Sequence, residues 1–173
     1  MIGKYEIKVS NSKVSFTLTV ERNITIIRGD SATGKTTLIS LLRDYEENGR
    51  SSGVTVQCKK PCRTLNGRYW DYQLGHIDDS IVFIDEGNPF VASIEFASAI
   101  QKTDNYYVIV TRESISALPY SVEEIYGIRN SGKYGRLKQT YNEMYHIYNV
   151  ETIVNDIQSE KLNHEIGMIN AGV

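Results

Sequence analysis

Apolar and polar residues alternate over 5–9 and again over 14–20, with the polar stretch 10–13 between them. Alternation puts one face of a strand on a core and the other in water, so the pair predicts a β-hairpin. The pattern then changes. Ile24, Ile26 and Ile27 crowd together as in a buried strand, and Leu38, Leu41, Leu42 and Tyr45 follow at helical spacing. A helix is expected over 35–47, ended by the stop and turn signals of 48–53. A short strand follows at 54–58. The runs 80–84 and 106–110 are continuously apolar, as in strands buried on both faces. Between them Phe90, Ile94, Ala97 and Ile100 fall on one helical face. A further strand is expected at 121–128, a turn at 130–135, an alternating strand at 140–148 and a helix over 151–166. Periodicity does not decide between helix and strand for 69–74. The expected fold is α/β: a three-layer sandwich with a largely parallel central sheet, helices on both faces and an N-terminal antiparallel hairpin. One domain is expected over 1–150, with a C-terminal helix and tail over 151–173.

The loop between the third strand and the first helix carries the chemistry. Gly29-Asp30-Ser31-Ala32-Thr33-Gly34-Lys35-Thr36 satisfies G-x-x-x-x-G-K-[ST], the phosphate-binding loop. Successive backbone N–H groups in such a loop turn inward around an anion, and the helix N-terminus adds partial positive charge. Gly34 lets the backbone approach phosphate oxygens. Lys35 reaches the β/γ-phosphates, and the Thr36 hydroxyl is a Mg²⁺ ligand. With Thr37, these residues make the expected nucleotide contacts.

The run Ile81-Val82-Phe83-Ile84 leads directly into Asp85 and Glu86. A carboxylate at the C-terminal end of a buried strand emerges where such sheets bind ligands. Asp85 is expected to hold Mg²⁺, and Glu86 to orient or deprotonate the attacking water. Thr111 and Arg112 end the next apolar run, and either one suits a contact to the γ-phosphate. Lys59, Lys60, Arg63 and Arg68 form a basic stretch that reads as an anion contact or as a solvated loop. Arg112, Arg63 and Arg68, in that order, are candidates for the extra cation that phosphoryl transfer often uses. Gln73 is a further water-orienting candidate.

On these motifs the stretch 2–128 resembles a small P-loop ATPase of the ABC-like or AAA-like (additional-strand) branch. The resemblance implies the P-loop NTPase sandwich fold, with ATP and Mg²⁺ as cofactors. It implies catalytic roles for Lys35, Glu86 and Arg112, and metal ligation by Thr36 and Asp85. Arg112 stands where ABC-type ATPases carry a switch histidine. Nothing between Thr37 and Ile81 resembles their Leu-Ser-Gly-Gly-Gln loop, and 35–85 is short for their helical subdomain.

Composition narrows the function little. The 173 residues are 40% hydrophobic and carry a formal net charge of −2, which does not argue for nucleic acid as a partner. A homo-oligomer or a protein partner stays open. No apolar run has bilayer length and no leader is read at Met1, so no membrane partner and a cytoplasmic setting are expected. Cys58 and Cys62 read as reduced thiols. No Asn-Lys-x-Asp motif appears, which favours ATP over GTP. Two other classes fit the loop: a small-molecule or nucleoside kinase, and a nucleotide-binding regulatory module without turnover.

Overall fold

The computed structural model describes residues 3–29, 34–133 and 139–148, together with Gln158, Lys161 and Leu162. Its N-terminal hairpin joins β1 (Tyr5–Ser10) to β2 (Val14–Val20), antiparallel from Tyr5 opposite Val20 to Ser10 opposite Ser15. Asn11 makes the turn: its Oδ1 accepts the N–H groups of Lys13 and Val14 at 2.8 and 2.9 Å. Then come β3 (Ile24–Ile27), α1 (Lys35–Asn48), β4 (Thr55–Gln57), β5 (Cys62–Thr64), α2 (Trp70–Leu74) and β6 (Ile81–Ile84). The chain continues through α3 (Ile94–Ile100), β7 (Tyr106–Val110), β8 (Ile125–Lys133) and β9 (Thr140–His146).

All nine strands belong to one mixed sheet, ordered β4-β1-β2-β9-β8-β3-β7-β6-β5. The pairs β1–β2, β1–β4 and β8–β9 are antiparallel; β2–β9, β3–β8, β3–β7, β6–β7 and β5–β6 are parallel. Its two edge strands, β4 and β5, are joined by 58–61 alone, so the sheet curls back towards itself. Tyr5 on β1 meets Tyr106 on β7 edge-to-face, ring centroids 5.0 Å apart, and the Lys60 ammonium lies 5.2 and 5.8 Å from the same two rings. Twisted sheets approaching about ten strands curl or split, and this one curls until it is nearly a barrel.

This corrects the expected three-layer α/β sandwich. Strand outweighs α-helix among the described residues, and α1, α2 and α3 have only 14, 5 and 7 residues. Leu38, Ile39, Leu41 and Leu42 of α1 fill the concave side against Ile7, Phe16, Leu18, Phe83 and Val108. Among the described residues the convex side is covered over β3, β7 and β6, where α2, α3 and residues 115–118 pack on Ile26, Val82, Ile84, Tyr107 and Ile109. Glu6 and Lys8 of β1 are exposed, so among the described residues no third layer lies over the hairpin half. What the periodicity did not reveal is the partner of β9. It pairs with β2 as well as β8, fusing the hairpin and the parallel strands into one surface.

Smaller corrections follow the same physics. The strand expected at 121–128 begins at Ile125, after a single 3₁₀ turn at Val122–Glu124. The turn expected at 130–135 is strand as far as Lys133, with an irregularity between Asn130 and Gly132. β5 was not anticipated. Trp70–Leu74 resolves as helix. Ile94, expected on the buried face, is 75% exposed. Ser93 caps α3 by accepting the Phe96 N–H at 3.1 Å, and Phe96 takes the inward position instead. The helix expected over 151–166 lies outside the described residues except for Gln158, Lys161 and Leu162, each helical. No helix among the described residues is long and apolar enough to cross a membrane.

Candidate functional site

Three neighbouring parallel strands end together. Ile27 pairs with Val110, and Ile84 with Ile109. The chain therefore leaves β3, β6 and β7 at one sheet edge, through Arg28, Asp85 and Thr111. That edge is pinned by the Arg28 N–H donating to Tyr126 O at 2.8 Å and the Thr111 N–H donating to Ile27 O at 3.0 Å.

Of the loop after β3, Gly29 and Gly34 to Thr37 are described; Asp30, Ser31, Ala32 and Thr33 lie outside the described residues. Gly34 sits at φ 88°, and a Cβ there would lie 3.2 Å from the Phe16 ring. Phe16 is wholly buried in the concave core. Gly34→Ala is thus expected to lower folding stability by ~1–3 kcal/mol, measured as a shift of the denaturant midpoint. Lys35 is 5% exposed, and its ammonium donates to the Gly29 carbonyl at 2.7 Å. The side chain thus spans the loop from its last residues back to its first. Thr36 and Thr37 are exposed in the first turn of α1, at the positive end of the helix dipole.

The acidic pair leaves β6 at the same end of the sheet. Asp85 is half-buried, and burial raises its carboxyl above the usual aspartate range; Glu86 adds to the rise, while Arg43 and Lys35 oppose it. The Glu86 N–H donates to Asp85 Oδ1 at 2.8 Å and also lowers it. Glu86 is held in turn by Arg112, with Nε 3.0 Å from Oε2 and Nη2 3.1 Å from Oε1. Asp85, Glu86, Asn88, Thr111 and Arg112 line a cleft of about 540 Å³. The Thr111 hydroxyl is engaged locally, donating to Glu113 O at 3.0 Å and accepting the Glu113 N–H at 3.1 Å.

A carboxyl that is harder to ionise folded than unfolded has a definite pH signature. The folded state keeps its proton to higher pH, so stability falls as pH rises from the unfolded to the folded pKa and stays reduced above both. Asp85→Asn removes that cost. It is expected to raise the melting temperature at pH 7 and to leave it unchanged at a pH below both pKa values, as calorimetric scans at the two pH values would read.

Gly29, Gly34, Lys35, Asp85, Glu86 and Arg112 thus gather at one edge. Other sequence candidates are engaged elsewhere. Arg63 Nη1 lies 3.7 Å from Glu46 Oε1, about three helical turns along α1 from Lys35. The Arg68 guanidinium rests 6.0 Å from the Tyr69 ring centroid, on the loop after β5. Lys60 is paired with Asp79, and Lys59 is exposed. The Gln73 amide donates to Asn66 O at 2.7 Å and accepts the Asn66 N–H at 3.5 Å, so it braces a loop. Two residues at the site escaped the sequence reading. Arg43 carried no signal. Asn88, three residues after Asp85 in a Gly-Asn-Pro turn, had one: asparagine in turns bonds nearby backbone.

A second cleft of about 540 Å³ lies at the opposite ends of β3 and β7, lined by Ile24, Ile100, Tyr107, Tyr120 and Glu124. It holds none of the residues above. No group of three or more His, Cys, Asp or Glu side chains poised for a metal occurs among the described residues. Comparison with known proteins finds no matching family model and no matching curated protein. With the curled mixed sheet, this removes the resemblance to ABC-like or AAA-like P-loop ATPases as a statement of family.

Proposed function

We propose that the protein binds Mg²⁺ and a nucleoside triphosphate, ATP by preference, at this edge and hydrolyses the terminal phosphoanhydride. The observation that carries the reading is that two segments far apart in sequence leave the sheet at the same end. Gly34-Lys35-Thr36 follow β3 and the Asp-Glu pair follows β6, with β7 between the two strands, and the Lys35 charge is near enough to act on the Asp85 carboxyl.

The donor set fits the metal. Thr36 and Asp85 offer hard oxygen ligands, which suit Mg²⁺, and most of its shell then comes from phosphate and water. When bound, the ion neutralises charge on the β- and γ-oxygens. A carboxylate disfavoured by burial gains from a cation beside it. The protein's own groups do the rest. Backbone N–H groups at the start of α1 receive phosphate oxygens, and the Lys35 ammonium exchanges the Gly29 carbonyl for the anion. Arg112 is drawn from Glu86 towards the γ-phosphate, which leaves the Glu86 carboxylate to orient water and accept its proton. Catalysis on this reading is mostly positioning and charge stabilisation.

The test is phosphate release from ATP with Mg²⁺, alone and with single- or double-stranded DNA. Release without any added acceptor supports hydrolysis. Strict dependence on an acceptor points to a kinase, and tight binding without turnover to a regulatory module.

A further inference from the structure

We propose that Asn88 is a positioning residue that sets the metal-facing geometry of Asp85; the inference rests on the function proposed above. Its basis is a single peptide plane. The carbonyl of Asp85 and the N–H of Glu86 belong to the same rigid peptide unit. Asn88 Nδ2 donates to that carbonyl at 2.9 Å. On the other side of the same unit, the Glu86 N–H donates to Asp85 Oδ1 at 2.8 Å. The first bond fixes the tilt of the plane, and the tilt aims the N–H that holds the carboxylate. With Oδ1 engaged in this way, the proposed metal contact falls to Oδ2.

Asn88 is itself held. Its Oδ1 accepts the Gly67 N–H at 3.0 Å, so the amide bridges the acidic loop and the loop after β5. Both loops are braced independently of it. Trp70 stacks on Phe90 with centroids 5.3 Å apart, and Gln73 clamps Asn66. Removing the Asn88 amide therefore frees the 85–86 peptide to rotate while the loops around it stay packed. Carboxylate ligands are commonly oriented by such outer hydrogen bonds, whose loss costs about 10–100-fold in metal affinity.

The experiment measures phosphate release against Mg²⁺ concentration at saturating ATP for wild type, Asn88→Ala and Gln73→Ala. It also measures ATP affinity in EDTA and the melting temperature for each. Gln73→Ala loosens the same neighbouring loop without touching the 85–86 peptide. The expected result is a rise of about tenfold or more in the Mg²⁺ concentration for half-maximal rate in Asn88→Ala. Gln73→Ala should match wild type, and metal-free ATP affinity should stay the same in all three. Equal Mg²⁺ dependence in Asn88→Ala and wild type overturns the positioning role while leaving the hydrolase reading intact. An equal shift in both variants overturns it too, since general loosening of the loop would then be the cause. A wild type that releases no phosphate overturns the hydrolase reading, and the positioning role with it.

Discussion

Replacing Lys35 by alanine is expected to weaken Mg·ATP binding by about a hundredfold. The ammonium is nearly buried and donates to the Gly29 carbonyl at 2.7 Å, so it already stands across the loop that would take the phosphates. A hydrogen bond to a charged group contributes about 1.5–3 kcal/mol, which is roughly 10–150-fold in a dissociation constant. The anion also loses the point charge that a buried setting makes effective. Lys35→Arg should not restore affinity, because a planar guanidinium fork does not reproduce a compact ammonium aimed at a single point. Titration calorimetry reads both variants. An unchanged dissociation constant in Lys35→Ala would detach the loop from nucleotide binding.

The second large effect is expected from Glu86→Gln. Glutamine keeps the size of the side chain and one acceptor oxygen for Arg112, but it cannot take a proton from water. Turnover should fall by about 10²–10⁴-fold, the usual contribution of a positioned general base. Mg·ATP affinity should stay within about threefold, since Glu86 bears on the water and not on the ground-state phosphates. Single-turnover phosphate release separates chemistry from binding. Turnover equal to wild type would remove Glu86 from the mechanism.

The parts of this molecule written in local sequence were legible, and those written in long-range pairing were not. The alternation at 5–9 and 14–20 marked β1 and β2, and the apolar runs ending in Asp85 and Arg112 marked β6 and β7. Each such run buries both faces, and few other patterns look like it. The curl was not legible. It depends on β9 pairing with β2 across more than a hundred residues, and on the short 58–61 link between the two sheet edges. No periodicity encodes which strand meets which. Tyr5 against Tyr106 is a consequence of that closure, and each tyrosine alone looked like any strand residue.

At the candidate site the sequence marked residue types and spacing, but not their partners. Lys35, Asp85 and Glu86 stood out because phosphate chemistry needs them near one another. That Arg112 would grip Glu86 with two hydrogen bonds was hidden, as was the engagement of Thr111 with Glu113. Arg63 and Arg68 drew attention as charges, yet Glu46 and the Tyr69 ring hold them. A cation's sequence neighbours say little about which anion it meets after folding.

The central claim is that the loop after Ile27 and the acidic pair after Ile84 share one magnesium nucleotide. Its most direct test is calorimetric titration of ATP into the wild-type protein with Mg²⁺ and with EDTA, repeated in Lys35→Ala and Asp85→Asn. The expected result is one site per chain that is tightened by Mg²⁺, with Lys35→Ala weakening it in both conditions and Asp85→Asn abolishing only the Mg²⁺ effect. Binding that neither substitution changes, or no binding at all, would contradict the account.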